Sequence, residues 1–89
     1  MAGQYAIRLT PTALRDLKKL PRRDLESVDE VIRSLSTVPR PHGYKKLTGS
    51  ADLLRIRVGT YRIVYTVTDK PAVVTVARVR HRGDVYRGI

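Results

Sequence analysis

Arginines recur at every second position in the second half of this sequence. The six are Arg55, Arg57, Arg62, Arg78, Arg80 and Arg82. Because side chains alternate between the two faces of a β-strand, this spacing puts Arg55 and Arg57 on one face, about 7 Å apart. A guanidinium binds phosphate through two parallel hydrogen bonds and also stacks on nucleobases. The pattern therefore predicts a cationic surface for a phosphate-bearing polyanion, rather than six unrelated solubilising side chains.

Four residues near these arginines could complete such a site. Tyr86 lies outside the periodic segments and between cations, where its ring could stack on an unpaired base or close the end of a sheet. His81 lies between two arginines, whose charges favour a neutral imidazole that can accept a proton. Lys45 and Lys46 are expected in a loop and could add to the positive field.

Other kinds of chemistry lack their residues. The sequence has no cysteine and two histidines, which excludes thiol catalysis, disulfide scaffolds and metal sites built from cysteine or many histidines. We find no paired carboxylates, glycine-rich phosphate loop or Ser/His/Asp arrangement. An enzyme built from the remaining residues would stabilise a phosphate transition state with cations, as a metal-free ribonuclease does. The 2′-hydroxyl of RNA would then be the nucleophile, so DNA could not be cut in this way.

Length and charge agree with a small domain that binds a polyanion. The chain has 89 residues and a formal net charge of +10, so residues 1–89 are expected to form a single domain. Residues 1–38 carry seven basic and five acidic side chains, whereas residues 39–89 carry eleven and three. The first part therefore resembles a scaffold, and the second part carries the positive field. We find no secretion signal or membrane span, which predicts a cytoplasmic protein.

The first half of the chain predicts a strand followed by two helices. Residues 5–9 alternate between apolar and polar side chains, as in a strand. Thr10 is placed to cap a first helix that begins at Pro11. A second helix follows from the three- and four-residue apolar spacing within residues 25–35. Two prolines and a glycine within residues 36–43 predict a connection.

The second half predicts a three-stranded antiparallel meander. Its strands are expected at residues 53–58, 61–67 and 72–79, with a turn at residues 59–60 and another at residues 69–71. A tight first turn would bring Arg62 close to Arg57 on the neighbouring strand. The order of elements predicts an α+β domain in which the helix hairpin packs on one face of a single sheet.

Two blocks of the sequence resemble the RelE toxins of the RelE/ParE superfamily. The first contains Gly-x-Tyr-Arg-Ile-Val-Tyr at residues 59–65, and the second contains His-Arg-x-Asp-Val-Tyr at residues 81–86. Residues 14–21 are similar to the first helix of that family. The resemblance covers essentially the whole chain and implies the RelE/ParE-like microbial ribonuclease fold.

The resemblance implies the toxin of a type II toxin–antitoxin system. Such a toxin is a ribosome-dependent mRNA endoribonuclease that cuts the codon in the A site, uses no cofactor and is held in check by an acidic antitoxin. By position, Arg62 matches the family arginine that binds the phosphate at the cut. Arg80 matches one that stabilises the transition state or protonates the leaving group. Tyr86 matches a tyrosine that stacks on or orients the substrate base.

The sequence departs from the family pattern at Arg55 and Arg57, which stand where the best-known member has two lysines, one of them proposed as general base. Arginine is a poor base at neutral pH. Our hypothesis is that His81 or the surrounding ribosomal RNA accepts the proton. Two alternatives remain open: a ParE-like DNA gyrase inhibitor without nuclease activity, and a catalytically weak RNA-binding relative.

Overall fold

A mixed β-sheet with two helices on one face forms the described part of the chain, which comprises residues 4–47, 49 and 52–81 of a computed structural model. This architecture confirms the predicted α+β class. The elements, in chain order, are β1 (Ala6–Leu9), α1 (Pro11–Lys18), α2 (Arg22–Ser34), β2 (Lys45–Lys46), β3 (Leu54–Val58), β4 (Tyr61–Asp69) and β5 (Ala72–His81). Neither helix is long and apolar enough to cross a membrane.

The sheet has the strand order β1-β5-β4-β3-β2. Strands β3, β4 and β5 form the predicted antiparallel meander, and β1 pairs in parallel with β5. The prediction of a loop at Lys45 and Lys46 is wrong, because these residues form β2 and pair with Arg55 and Leu54. Two residues are too few to show an alternating pattern, and this short strand forms because β3 offers an edge to pair with.

The first helix begins as the sequence predicts. The Thr10 side chain accepts a hydrogen bond from the Ala13 N–H at 3.1 Å, and Pro11 takes the first helical position, where its missing N–H leaves no bond unmade. The second helix follows Pro21 and buries Val28 and Ile32. Both helices therefore present an apolar side to the sheet.

The core lies between the helices and one face of the sheet. From the sheet, Ile63 and Tyr65 are fully buried, and from the helices Val28 and Leu35 are too. The Tyr65 hydroxyl donates a hydrogen bond to the Pro39 carbonyl at 2.9 Å, which ties the connection after α2 to the core. Since neighbouring residues of a strand point to opposite faces, Arg62, between Tyr61 and Ile63, faces away from the helices.

A β-bulge in the pairing of β4 with β5 sets the direction of the arginines on β5. Val64 pairs with Arg78 and Tyr65 pairs with Val76, so Ala77 is an extra residue. Without the bulge, Arg78 and Arg80 would continue the alternation of Val76 and point into the core. One extra residue reverses the alternation, and Arg78 and Arg80 therefore share the outer face with Arg62.

A two-residue turn joins β3 to β4. Gly59 has φ = 59°, in the left-handed region that favours glycine. The turn places Val58 opposite Tyr61, and one step further along the strands it places Arg57 opposite Arg62. The predicted proximity of these two arginines is confirmed.

Candidate phosphate-binding site

Three arginines form a continuous row across the outer face of the sheet. Arg57 of β3 lies opposite Arg62 of β4, and Arg62 lies opposite Arg80 of β5. Opposed Cα atoms in an antiparallel pair are about 4.5–5.5 Å apart. We call Arg57, Arg62 and Arg80 the arginine row. Opposed like charges destabilise a sheet unless an opposite charge compensates them.

A second set of basic side chains flanks the arginine row, two residues further along the strands from the β3–β4 turn. Lys45 pairs with Arg55, which pairs with Val64, which pairs with Arg78. Val64 is buried against Leu47 in a small apolar cluster on this face. Lys45, Arg55 and Arg78 therefore share the face of the arginine row.

Lys46 does not join this set. It pairs with Leu54, whose side chain belongs to the core on the opposite face of the sheet. Arg82 and Tyr86, both predicted as site residues, lie outside the described residues. Among the described residues, no three His, Asp or Glu side chains are gathered in a way that could hold a metal ion.

The arginines of the row differ in burial. Arg62, in the middle, is only 7% exposed, and its Nη1 donates to the Tyr61 carbonyl at 3.5 Å. Arg57, on β3, is exposed. The Arg80 side chain is 32% exposed. Charges act more strongly where water is partly excluded, so the charge of Arg62 is the least screened by water of the three.

Arg80 is held by a carboxylate from the first helix. Its Nε donates to Oδ1 of Asp16 at 2.9 Å, and the Val79 N–H donates to Oδ2 at 2.9 Å. Asp16 is 5% exposed and is not among the residues predicted from the sequence. The sequence feature that could have predicted its burial is its position on the apolar side of the helix, three residues after Ala13 and four before Leu20.

His81 lies on the face of the sheet opposite Arg62, although it lines one cavity with Arg80. It pairs with Tyr61, on the face that carries the helices, and the two rings meet edge-on with centroids 5.7 Å apart. Both residues line a cavity of about 430 Å³ beside the end of α1. The other lining residues are Asp16, Lys19, Leu20, Val79 and Arg80. The structure therefore gives no support to the hypothesis that His81 takes a proton at Arg62.

A separate cluster of hydrogen-bonded charged residues lies at the other end of β4. Asp69 accepts hydrogen bonds from the Tyr5 hydroxyl at 2.7 Å and from the Arg40 guanidinium at 3.2 and 3.3 Å. The Arg40 guanidinium holds the pKa of Asp69 below its usual value, and the hydrogen bond to Asp69 raises the pKa of Tyr5. Seven residues of strand, about 23 Å, separate Asp69 from Arg62, so this carboxylate does not neutralise the arginine row.

Comparison with known proteins agrees with the fold. Residues 7–86 match the family described as the ParE toxin of the type II toxin–antitoxin system parDE. The chain belongs to this family of toxins. Its fold and relatives place it with the RelE-type members of type II toxin–antitoxin systems, which confirms the resemblance noted in the sequence.

The relatives match over nearly their whole length. Toxin RelG from Mycobacterium tuberculosis is 42% identical over 84 residues, which cover 93% of this chain and 97% of RelG. The crystal structure of the toxin–antitoxin complex RelBE2 from the same species contains a chain 41% identical, with a TM-score of 0.79 over 89% of this chain and 99% of that one. The archaeal RelE–RelB complex from Pyrococcus horikoshii OT3 gives 28% identity and a TM-score of 0.78 over 90% and 97%.

Proposed function

We propose that this toxin is a metal-independent endoribonuclease that cuts mRNA in the ribosomal A site and so stops translation. The observation that carries the proposal is the arginine row, in which Arg57, Arg62 and Arg80 are aligned across three neighbouring strands. The relatives named RelE and RelG toxins support the same class of activity.

The arginine row suits the charge that develops when RNA is cut. Attack by the 2′-hydroxyl on the adjacent phosphorus gives a phosphorane with one more negative charge than the phosphodiester. Donors fixed in advance around the position of that charge lower the barrier, and loss of one such donor typically costs about 10²–10³-fold in rate. Neighbouring strands are about 4.8 Å apart, so the row spans about 10 Å, enough to surround one phosphate.

Each member of the row has a distinct role in this proposal. Arg62, the buried member, binds the scissile phosphate. Arg80 neutralises the phosphorane or assists the leaving 5′-oxygen, and the exposed Arg57 neutralises the phosphate from the β3 side. Lys45, Arg55, Arg78 and Arg82 bind the neighbouring phosphates, and Tyr86 stacks on a base beside the cut.

The proton acceptor lies outside the arginine row. An arginine side chain stays protonated at neutral pH and cannot take the proton of the 2′-hydroxyl. Because His81 lies on the helix face, we assign this step to a group of the ribosome that lies against the outer face of the sheet. This assignment explains why cleavage would depend on the ribosome.

The same surface is proposed to bind a cognate antitoxin. Both solved structures compared above are complexes of a toxin with its antitoxin. With a net charge of +10, this toxin is expected to bind an acidic protein whose helix or extended segment covers the arginine row and excludes RNA. An antitoxin that contacts only residues 1–38 would contradict this masking model.

The proposed activity is tested by mapping RNA 5′ ends after induction of the toxin in cells. We expect new ends within codons, only in translated messages, and their loss when translation initiation is blocked. Induction of an Arg57→Ala/Arg80→Ala variant is the matched control and should give few such ends. An absence of new ends with the wild-type toxin, under conditions where growth stops, would contradict the ribonuclease proposal.

The alternative is inhibition of DNA gyrase, to which the match with the ParE toxin family points. In that case induced cells show a DNA damage response without new RNA ends. Purified gyrase would also lose supercoiling activity when the toxin is added. Induction in cells therefore separates the two activities by two readouts, the new RNA 5′ ends and the DNA damage response.

A further inference from the structure

Asp16 makes two hydrogen bonds at a point where the sheet has lost a neighbouring strand. β1 pairs with β5 only as far as Leu9 and Val76. Beyond this point the Thr10 N–H donates to the Val76 carbonyl at 3.0 Å, and the Thr10 hydroxyl donates to the Ala77 carbonyl at 2.7 Å. Asp16 then accepts the Val79 N–H. Thr10 and the α1 residue Asp16 thus take the place of a neighbouring strand along the second half of β5, the half that carries the arginines.

The second oxygen of Asp16 is used on Arg80. An ionised carboxylate that is 5% exposed is costly to bury unless charged or polar partners satisfy it. The Arg80 Nε–H supplies the charged partner at 2.9 Å. Because one oxygen is fixed by the Val79 backbone, the other has a defined position, and it fixes the plane of the Arg80 guanidinium in turn.

The contact leaves the chemistry of Arg80 intact. A guanidinium has five N–H donors, and the bond to Asp16 uses the one on Nε. The N–H groups of Nη1 and Nη2 remain to donate hydrogen bonds to the oxygens of a phosphate. The Asp16 charge also offsets the repulsion between Arg80 and Arg62, which lie opposite each other.

We propose that Asp16 is a positioning residue of the toxin, which holds Arg80 in the orientation required for cleavage and does not itself contact RNA. The inference rests on the proposed ribonuclease activity. It assigns to the first helix a part in catalysis as well as its part in the core.

The variant Asp16→Asn separates the two contacts. Asparagine has nearly the shape of aspartate but only one side-chain oxygen, and the fixed Val79 N–H is the partner that retains it. The amide NH₂ then faces the Arg80 Nε–H, donor against donor, and Arg80 is released. Asp29→Asn is the matched control, because Asp29 also accepts an arginine Nε–H, from Arg33 at 2.7 Å, on the exposed side of α2.

The experiment measures cleavage of mRNA on programmed ribosomes by the full chain. For Asp16→Asn we expect the rate at saturating ribosomes to fall by about 10- to 100-fold, with little change in the ribosome concentration that gives half the maximal rate. Asp29→Asn should cut at the wild-type rate. In the double variant Asp16→Asn/Arg80→Ala, the loss should equal that of Arg80→Ala alone, since residues that act as a unit are not additive.

A second readout is independent of cleavage. In nuclear magnetic resonance spectra of the wild-type chain, the Arg80 Nε–H should exchange slowly with solvent, and in Asp16→Asn it should exchange as fast as that of an exposed arginine. Wild-type rates for a folded Asp16→Asn variant, or additive losses in the double variant, would overturn the proposal. Fast exchange of the Arg80 Nε–H in the wild type would overturn it even if the variant does not fold. If the wild type cuts no RNA, the proposed function fails, and the exchange rate still decides whether Asp16 orients Arg80.

Discussion

Arg62 and Arg80 lie opposite each other on β4 and β5, and the bulge at Ala77 is what makes them neighbours on one face. In an unbroken strand, Arg78 and Arg80 would have the same orientation as Val74 and Val76, which are fully buried in the core. The extra residue therefore lets a single strand contribute first to the core and then to the cationic surface. Bulges are frequent beside functional sites for this reason.

Deletion of Ala77 should destabilise the protein far more than its substitution. Without Ala77, Arg78 and Arg80 would have to enter the core or β5 would have to unpair, and either outcome costs several kcal/mol, on the order of an unpaired buried charge. Urea unfolding followed by circular dichroism measures the effect. The control Ala77→Ser keeps the bulge and should stay within about 1 kcal/mol of the wild type. Equal stability of the deletion variant would show that the bulge does not set the register.

The strands, helices and turns could be predicted because their signals are local. Thr10 as a helix cap, the alternation in β3 and the turn at Gly59 each depend on a few neighbouring residues, and the structure confirms them. The apolar spacing of residues 25–35 likewise sufficed to predict α2. These parts of the chain adopt the structure that their own side chains favour.

The relation between distant segments could not be predicted in the same way. The bulge changes the direction of Arg80 through the pairing of two strands, since Val64 pairs with Arg78 and Tyr65 pairs with Val76. The contact between Asp16 and Arg80 joins residues 64 positions apart. His81 was expected beside the arginines because it follows Arg80 in sequence, but adjacent residues of a strand point to opposite faces. The alternation itself therefore argues against that expectation.

Arg62→Lys should abolish most of the proposed cleavage while the fold survives. Lysine keeps the positive charge and most of the aliphatic stem but loses the two-pronged contact with phosphate. We expect a loss of about 10²-fold in cleavage rate. Stability should fall by about 1 kcal/mol, because Arg62 is buried and lysine has no Nη1 to donate to the Tyr61 carbonyl. Cleavage on programmed ribosomes and thermal unfolding measure the two effects.

The matched control for this variant is Arg15→Lys. Arg15 lies on the exposed side of α1, away from the arginine row, and its replacement should change neither quantity. Full cleavage by a stable Arg62→Lys protein would show that the middle of the row is not the phosphate site.

Tyr65 should make the protein lose stability in alkali. Burial raises the pKa of Tyr65 to about 12, whereas a tyrosine in the unfolded chain titrates near 10. Between pH 10 and about 12 the unfolded state therefore binds fewer protons than the folded state, and stability falls as pH rises, by up to about 1.4 kcal/mol per pH unit. The contribution is complete below pH 10 and is lost across that window.

Comparison with Tyr65→Phe isolates this effect from the titration of the other tyrosines and lysines. The variant loses the hydrogen bond to the Pro39 carbonyl and should be less stable at pH 7 by about 1 kcal/mol. Its stability should then decline less steeply above pH 10, as measured by urea unfolding at several pH values. Parallel curves for the two proteins would mean that Tyr65 titrates normally in the folded state.

His81→Ala should leave cleavage unchanged between pH 6 and 8, because the ring lies against Tyr61 on the helix face and not beside Arg62. The loss of the edge-on ring pair should lower stability by about 0.5–1.5 kcal/mol. His42→Ala, which removes the other histidine from an exposed loop, is the control for both measurements. If His81→Ala instead lost cleavage, and the wild-type rate fell at acid pH with a midpoint near that of a histidine while the variant's did not, His81 would be the base after all. The end of β5 would then have to turn toward the arginine row when the toxin binds the ribosome.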